Sequence, residues 1–423
     1  MTAKTGPKKV FMVDDDLAMC EFIGQIVKGL GYSFEHQNRA EGGLNAVFER
    51  EPDLVLLDLH LPDGNGLHLC KEIKQDKRVN HIPVLILTTR EFTIERDMAF
   101  DAGADAFIQK PFDHKEIGEK IDSWLSPNVE IKFWGVRGST PCANKENMIY
   151  GGNTTCMQVK LPHNEEYLIF DSGSGIRNLG NHIIAKGKEA NGRLFITHPH
   201  WDHIQGFPFF KPFYMPENNF AIHMPQQYTG GCREVLAGQM SYTYFPVTPG
   251  MLMADIEYVT QTHHPQQYNG YQIEFVQAQH PVSTAIYKLT VGGRQIVFCP
   301  DNELYPQDMQ NNSPFLKHLV SFLEGADILI HDGQYDRETY KNRRNWGHSA
   351  WEEAVELATR VNVKSVFLTH HDPDSSDEYL SDLDKKIKDK HGSDFETIQM
   401  AKEGYSTRLK VDSVTNVKKV SAD

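Results

Sequence analysis

Cysteine is scarce in this 423-residue chain. The six, at 20, 70, 142, 156, 232 and 299, include no CxxC pair. A disulfide framework is therefore not what organises the fold, and a reducing cytoplasm is the expected setting. Long apolar runs are missing too. None approaches the roughly 20 residues of a membrane helix, and "MTAKTGPKKV" lacks the apolar segment of a signal peptide. Positive charge is in short supply: 43 Lys and Arg stand against 57 Asp and Glu, a formal net charge of −14. That argues against a broad nucleic-acid-binding surface, while leaving room for one local basic patch. No low-complexity tract or solenoid-type repeat stands out. What is present, 39% hydrophobic and 24% charged residues, suits globular material, and the length calls for more than one domain.

Residues 8–125 alternate short apolar runs with amphipathic stretches. "KVFMV" (9–13), "DLVLL" (53–57), "PVLIL" (83–87) and "DAFIQ" (105–109) read as buried strands, and 17–30, 66–76, 93–102 and 113–125 as helices. This alternation predicts a doubly wound parallel sheet with its ligands at the carboxyl ends of the strands. Polar residues collect at those ends: Asp14, Asp15, Asp58, Thr88 and Lys110. Three carboxylates brought together call for a cation, and hard oxygen ligands favour Mg²⁺. A hydroxyl and an ammonium beside them could hold phosphoryl oxygens.

With "VDDD", "LVLLDLHLPDGNGL", "LTTR" and "QKPF" in these places, the stretch resembles a two-component receiver domain. The resemblance implies a five-stranded parallel sheet and Asp58 as phosphoacceptor. It implies a Mg²⁺ site from Asp14, Asp15, Asp58 and the carbonyl of His60. It also implies Thr88, Lys110 and Phe107 as switch residues, a cis Lys110–Pro111 bond, and a sensor histidine kinase as phosphodonor. The expected organisation is a receiver over 1–125, a linker over 126–131 around "SPNVE", and a second domain over 132–423.

The second domain holds "THPHWDHIQG" (197–206), just after the strand-like "GRLFIT" (192–197). His198, His200, Asp202 and His203 cannot share one helix face, but on a tight loop they can diverge toward two neighbouring points. Two metals about 3.5–4 Å apart would suit such a loop, and the donor types fit Zn, Mn or Fe. Three later residues also follow apolar strands: His280 in "IEFVQAQHP", Asp301 in "QIVFCPD" and His370 in "SVFLTHHDP", where His371 is a neighbouring choice.

The seven residues resemble the ligand set of the metallo-β-lactamase superfamily over roughly 130–410. The resemblance implies a four-layer αβ/βα sandwich. His198, His200 and His280 would hold one metal and Asp202, His203 and His370 the other, with Asp301 bridging. "DSGSGI", with Asp171, looks like the turn that supports the metal loop. "WGVRGSTP", "YGGNTTC" and the run 325–373 resemble the RNase Z and small-phosphodiesterase branch, with His331-Asp332, His348 of "GHS" and His370 as its marks. One departure is Asp332, where that branch usually carries Glu. The implied reaction is hydrolysis of a small phosphate diester. Asp202 would steer the nucleophile, and His348, oriented by Asp332, would protonate the leaving group. A thioester, lactone or amide substrate, or a non-catalytic metal-bound signalling module, are the competing readings. "KNRR" (341–344) could bind a further phosphate, and the aromatic stretches 207–216 and 240–247 could line the pocket. A homodimer is compatible with a receiver.

Overall fold

The computed structural model describes residues 6–88, 98–261 and 265–411. The chain divides into two compact units, one up to Asn128 and one over Val129–Val411.

The first unit is a five-stranded parallel sheet in the order Ser33–Gln37, Lys9–Val13, Leu54–Asp58, Val84–Thr88, Ala106–Gln109. The central strands Leu54–Asp58 and Val84–Thr88 are buried along their whole length, as a sheet covered on both faces requires. Helices Leu17–Gly29 and His114–Leu125 pack on one face. Gly43–Arg50 and Gly66–Gln75 pack on the other. The edge strand Ser33–Gln37 ("SFEHQ") and the helix Gly43–Arg50 were not anticipated, because neither carries a distinct apolar run. The helix expected over 93–102 lies partly outside the described residues, although 98–101 are helical.

The second unit contains two seven-stranded sheets. The first runs Asp255–Gln261, Asn219–Pro225, Asn191–Phe195, Tyr167–Phe170, Cys156–Lys160, Asn128–Gly135, Ser406–Lys410. The second runs Gln266–Tyr268, Tyr271–Gln277, Ala285–Val291, Arg294–Cys299, Ile328–Asp332, Ser365–Thr369, Thr397–Met400. Inward-facing aromatic residues join them. Phe170 lies 5.6 Å from Phe298, and Phe195 lies 5.7 Å from Tyr287, whose hydroxyl donates to the Ile196 carbonyl. Helices Ile176–Ile184 and Cys232–Gln239 cover the first sheet, and Pro314–Leu323, Trp351–Arg360 and Asp377–His391 cover the second, giving the four layers expected.

Two expectations need correction. The strand Asn128–Gly135 takes up most of the stretch read as a linker over 126–131, because Val129, Ile131 and Phe133 already alternate inward. In 207–216 the rings of Phe207, Phe210 and Phe213 fill the core beneath Ile176–Ile184 instead of lining a pocket; they are fully buried, Phe210 and Phe213 edge-to-face on each other and on Phe220, and Phe207 tilted against Phe213. Among the described residues, no helix is long and apolar enough to cross a membrane.

Candidate metal centre

In the first unit, Asp14 follows one buried strand and Asp58 closes the next, so both carboxylates emerge at the same sheet edge. Lys110 arrives from the last strand and bridges them. Its Nζ donates to Asp14 Oδ2 at 2.9 Å and to Asp58 Oδ1 at 2.7 Å. Burial opposes the Lys110 charge, but its hydrogen bonds to Asp58 and Asp14 outweigh that and raise its pKa. Burial raises the pKa of Asp14 despite Lys110. The backbone N–H of His60 donates to Asp58 Oδ2 at 2.7 Å. Thr88 is buried at the end of its strand and Phe107 is half-buried against the core. Lys110–Pro111 is cis. Asp15 is exposed, and the acids Asp14, Asp15 and Asp58 do not converge as a tight group of donors.

In the second unit, the carboxyl ends of strands from both sheets meet. The loop after Asn191–Phe195 leads into a one-turn helix, Trp201–Ile204, whose first residues turn Asp202 and His203 back beneath His198 and His200. The second sheet supplies His280, Asp301, Asp332 and His370 from four strand ends. Nitrogen and oxygen donors gather into groups within 4.8 Å: His198 with His200 and His280, and Asp202 with His203 and His370. Asp301 stands between them. Its Oδ1 lies 3.1 Å from His203 Nε2 and 3.4 Å from His370 Nε2; its Oδ2 lies 3.7 Å from His198 Nε2 and 3.8 Å from His280 Nε2. One carboxylate oxygen thus faces each triad.

The supporting contacts fix which ring nitrogen faces inward. Asp171 Oδ2 is 2.8 Å from His203 Nδ1, leaving Nε2 for the centre. Asp171, in the left-handed region at φ 60°, also accepts from the backbone and hydroxyl of Thr197. His280 Nδ1 donates to the Gly347 carbonyl at 3.0 Å, again freeing Nε2. Such outer partners set tautomer and ring orientation in metal-binding histidines. Ser139 N–H donates to Asp202 Oδ2 at 2.7 Å. Of the adjacent pair, His370 Nε2 sits 3.0 Å from Asp202, whereas His371 Nε2 donates to the Ala401 carbonyl. Burial pushes the His371 pKa down to about 3.

Whether these residues suit metal ions can be judged from what is unpaired. His198 Nε2 is buried with no hydrogen-bond partner, and Asp301 Oδ1 makes none despite its close imidazoles. Buried polar atoms are rarely left in that state without a ligand. The donor separations of 3.0–3.3 Å between His200 and His280 and between His203 and His370 suit donors about 2.0–2.1 Å from a shared ion. Imidazole with carboxylate is a donor set for divalent transition metals. Burial would raise the Asp301 pKa, but His203, His370 and His198 hold it well below the carboxylate range.

His348 adjoins the centre, its ring stacked on His370 at 4.7 Å. Its Nδ1 donates to Asp332 Oδ2 at 2.9 Å. The shorter acid arm therefore reaches, since Asp332 ends its strand directly opposite. Burial would lower the His348 pKa, but the Asp332 charge prevails and raises it to about 9. One contributor escaped the sequence reading. Glu303, buried two residues after Asp301, accepts from Tyr340 Oη at 2.8 Å, Asn345 N at 2.7 Å and Gly347 N at 2.8 Å, fixing the loop that carries His348. Its only mark in the sequence is an acid inside "PDNE".

Comparison with known proteins agrees with both units. A family model described as a response regulator receiver domain matches residues 10–122, and one described as a β-lactamase superfamily domain matches 169–371. The DNA-binding response regulator MtrA of Mycolicibacterium paratuberculosis is 34% identical over 121 residues, 29% of this chain and 52% of that protein. The chain thus spans about half the length of the curated relatives it matches. The metallo-β-lactamase fold protein YhfI from Bacillus subtilis aligns with 67% of this chain and 99% of its own, at 17% identity and TM-score 0.49. A diphosphatase of the PhnP family aligns with 68% of this chain and 99% of its own, at 15% identity and TM-score 0.48.

Proposed function

From a chain that joins a response regulator receiver domain to a metallo-β-lactamase-fold domain, we propose a regulated hydrolase: the second domain cleaves a small phosphate diester with two divalent ions, and phosphorylation of Asp58 by a sensor histidine kinase sets its rate. The observation that carries this reading is Asp301, which turns one oxygen to each of two donor triads. His198, His200 and His280 would hold one ion and Asp202, His203 and His370 the other. Ions held there would supply polarisation of a phosphoryl oxygen and acidification of water.

The chain's own groups supply the rest. Asp202, held by Ser139 N–H, orients the attacking oxygen and accepts its proton. His348 engages Asp332 through Nδ1, so Nε2 carries the proton for the leaving oxygen. As the phosphorus–oxygen bond to the leaving group breaks, that proton passes to the departing oxygen. In the receiver, the Lys110 ammonium already touching Asp58 is placed to hold an added phosphoryl group.

The test is to assay metal-replete protein against bis(p-nitrophenyl) phosphate, a panel of cyclic nucleotides, a thioester and a lactone, with metal content measured on the same sample. Diester turnover by protein holding about two ions supports the reading. Two bound ions with turnover of the lactone or thioester alone would overturn it.

A further inference from the structure

The "KNRR" segment leads into a loop with an unusual construction. Trp346 is 54% exposed, yet the backbone around it is tied down. Glu303 accepts from the N–H groups of Asn345 and Gly347, on either side of Trp346. Both neighbours are left-handed, Asn345 at φ 67° and Gly347 at φ 89°. A side chain on Gly347 would meet His280 Nδ1 at 2.2 Å, so the loop presses directly on the metal centre. Asn is one of the few non-glycine residues that adopt that region readily, so the pair Asn345 and Gly347 suits this tight loop. Here it thrusts an indole outward instead of burying it.

The indole is not bare. The Arg343 guanidinium lies 4.4 Å from its ring centroid. Arg343 makes no ion pair among the described residues, whereas Lys341 is committed to Glu338 and Arg344 to Gln307. A rigid aromatic ring, two residues from His348, with one face covered by a guanidinium that has no ion pair among the described residues, is a surface for a flat ring joined to an anion. On the opposite side of His280, Trp201 is 78% exposed beside His200, whose Nδ1 is 3.0 Å from His280 Nε2. In a chain of net charge −14, a local cation at the rim also eases the approach of an anionic substrate.

We propose that Trp346 and Arg343 form a nucleotide platform at the rim of the metal centre, with a nucleobase stacked on the indole and a phosphate toward Arg343. This rests on the phosphodiesterase reading and narrows its substrate to nucleotide-containing diesters. The full-length protein, metal-loaded and after chelation, is titrated with adenosine 5′-monophosphate and with ribose 5-phosphate, following tryptophan fluorescence and binding heat. Wild type should bind the nucleotide roughly tenfold or more tightly than the base-free sugar phosphate. Trp346→Ala should abolish that preference, Trp346→Phe should keep it, and Arg343→Ala should weaken both ligands. Equal affinities in wild type, or a preference that survives Trp346→Ala, would overturn the platform. A Trp346-dependent preference in a protein that cleaves no diester would instead sink the phosphodiesterase reading. Diester turnover with no base preference would sink the platform alone.

Discussion

Asp58 and Asp301 occupy similar places, each at the end of a buried strand, and they are satisfied in opposite ways. Asp58 is met by the chain's own cation, Lys110 at 2.7 Å, and by the His60 N–H. Asp301 is met by the imidazoles of His203, His370, His198, His280 and His348 at 3.1–3.8 Å, with no lysine or arginine paired to it among the described residues. The receiver site carries one internal ammonium shared between two carboxylates, Asp14 and Asp58, so its acids are partly neutralised by the chain itself. The other site offers Asp301 only imidazole nitrogens, and His198 Nε2 and Asp301 Oδ1 remain buried without a hydrogen-bond partner, which is the chemistry of a site built around ions. On the proposed function, one carboxylate would belong to a switch and the other to a fixture.

The same carboxylate-to-amide change in each place tests that contrast. Asp301→Asn should remove the group shared by both triads. Metal content should fall below that of wild type, and diester hydrolysis should drop by at least about a thousandfold, within the range for loss of central catalytic groups. Asp58→Asn, which touches only the receiver's expected Mg²⁺ site, should leave the transition-metal content at the wild-type value. Elemental analysis of both variants decides; equal metal content in the two would erase the distinction.

A finer cut falls within the hydrolase itself. His348→Ala should slow diesters with poor leaving groups by about a hundredfold more than p-nitrophenyl esters, since an activated leaving group needs no proton. Parallel steady-state rates on the two substrate types measure this, and equal losses would remove His348 from the acid role.

The switch is expected to show a smaller effect. Beryllofluoride with Mg²⁺ should change the wild-type hydrolysis rate by about fivefold, near the low end of coupling between sites, and should leave Asp58→Asn unmoved. Such coupling needs only that the two receiver states differ in their free energy of contact with the hydrolase. Identical rates in all four samples, with oligomeric state also unchanged, would reduce the receiver to a passive attachment.

The smallest expected effect concerns acid stability. Burial holds the His223 pKa down at about 3, its ring stacked 4.7 Å from that of Phe195. The unfolded chain takes up that proton below about pH 6.5, while the folded protein does not. Stability is therefore lost as pH falls from about 6.5 toward 3, with roughly 1 kcal/mol gone at pH 5.5 from this group. His223→Phe should flatten that part of the acid limb in denaturant titrations; an unchanged slope would count against it.

The sequence disclosed these regions unevenly. Buried strands showed themselves because both faces are covered, so Leu54–Asp58 and Ser365–Thr369 are continuous apolar runs with their polar residues at the ends. The edge strand Ser33–Gln37 has polar residues on a half-exposed ribbon and gave no such signal. The structure brings the seven candidate donors together, four of them legible from the packed "HPHWDH" loop and three, His280, Asp301 and His370, from their places just after buried strands. Which of His370 and His371 turns inward was settled by a backbone geometry, φ 62° at His370, that no spacing rule reveals. Glu303 was invisible because its partners, the Tyr340 hydroxyl and the Asn345 and Gly347 N–H groups, lie about forty residues away and are mostly backbone.

The two triads draw on both sheets, and that has a consequence for biosynthesis. His203 and His370, which would share an ion, are 167 positions apart. At translation rates of about 5–20 residues per second, roughly 8–33 seconds separate the emergence of the two. The receiver can fold and be ready for a phosphoryl group during that interval. The histidines of "HPHWDH" must wait as an open half-site for partners still being made. Loading of these triads with metal would therefore be a late step in the life of the nascent chain, with the receiver able to finish before the domain it would control.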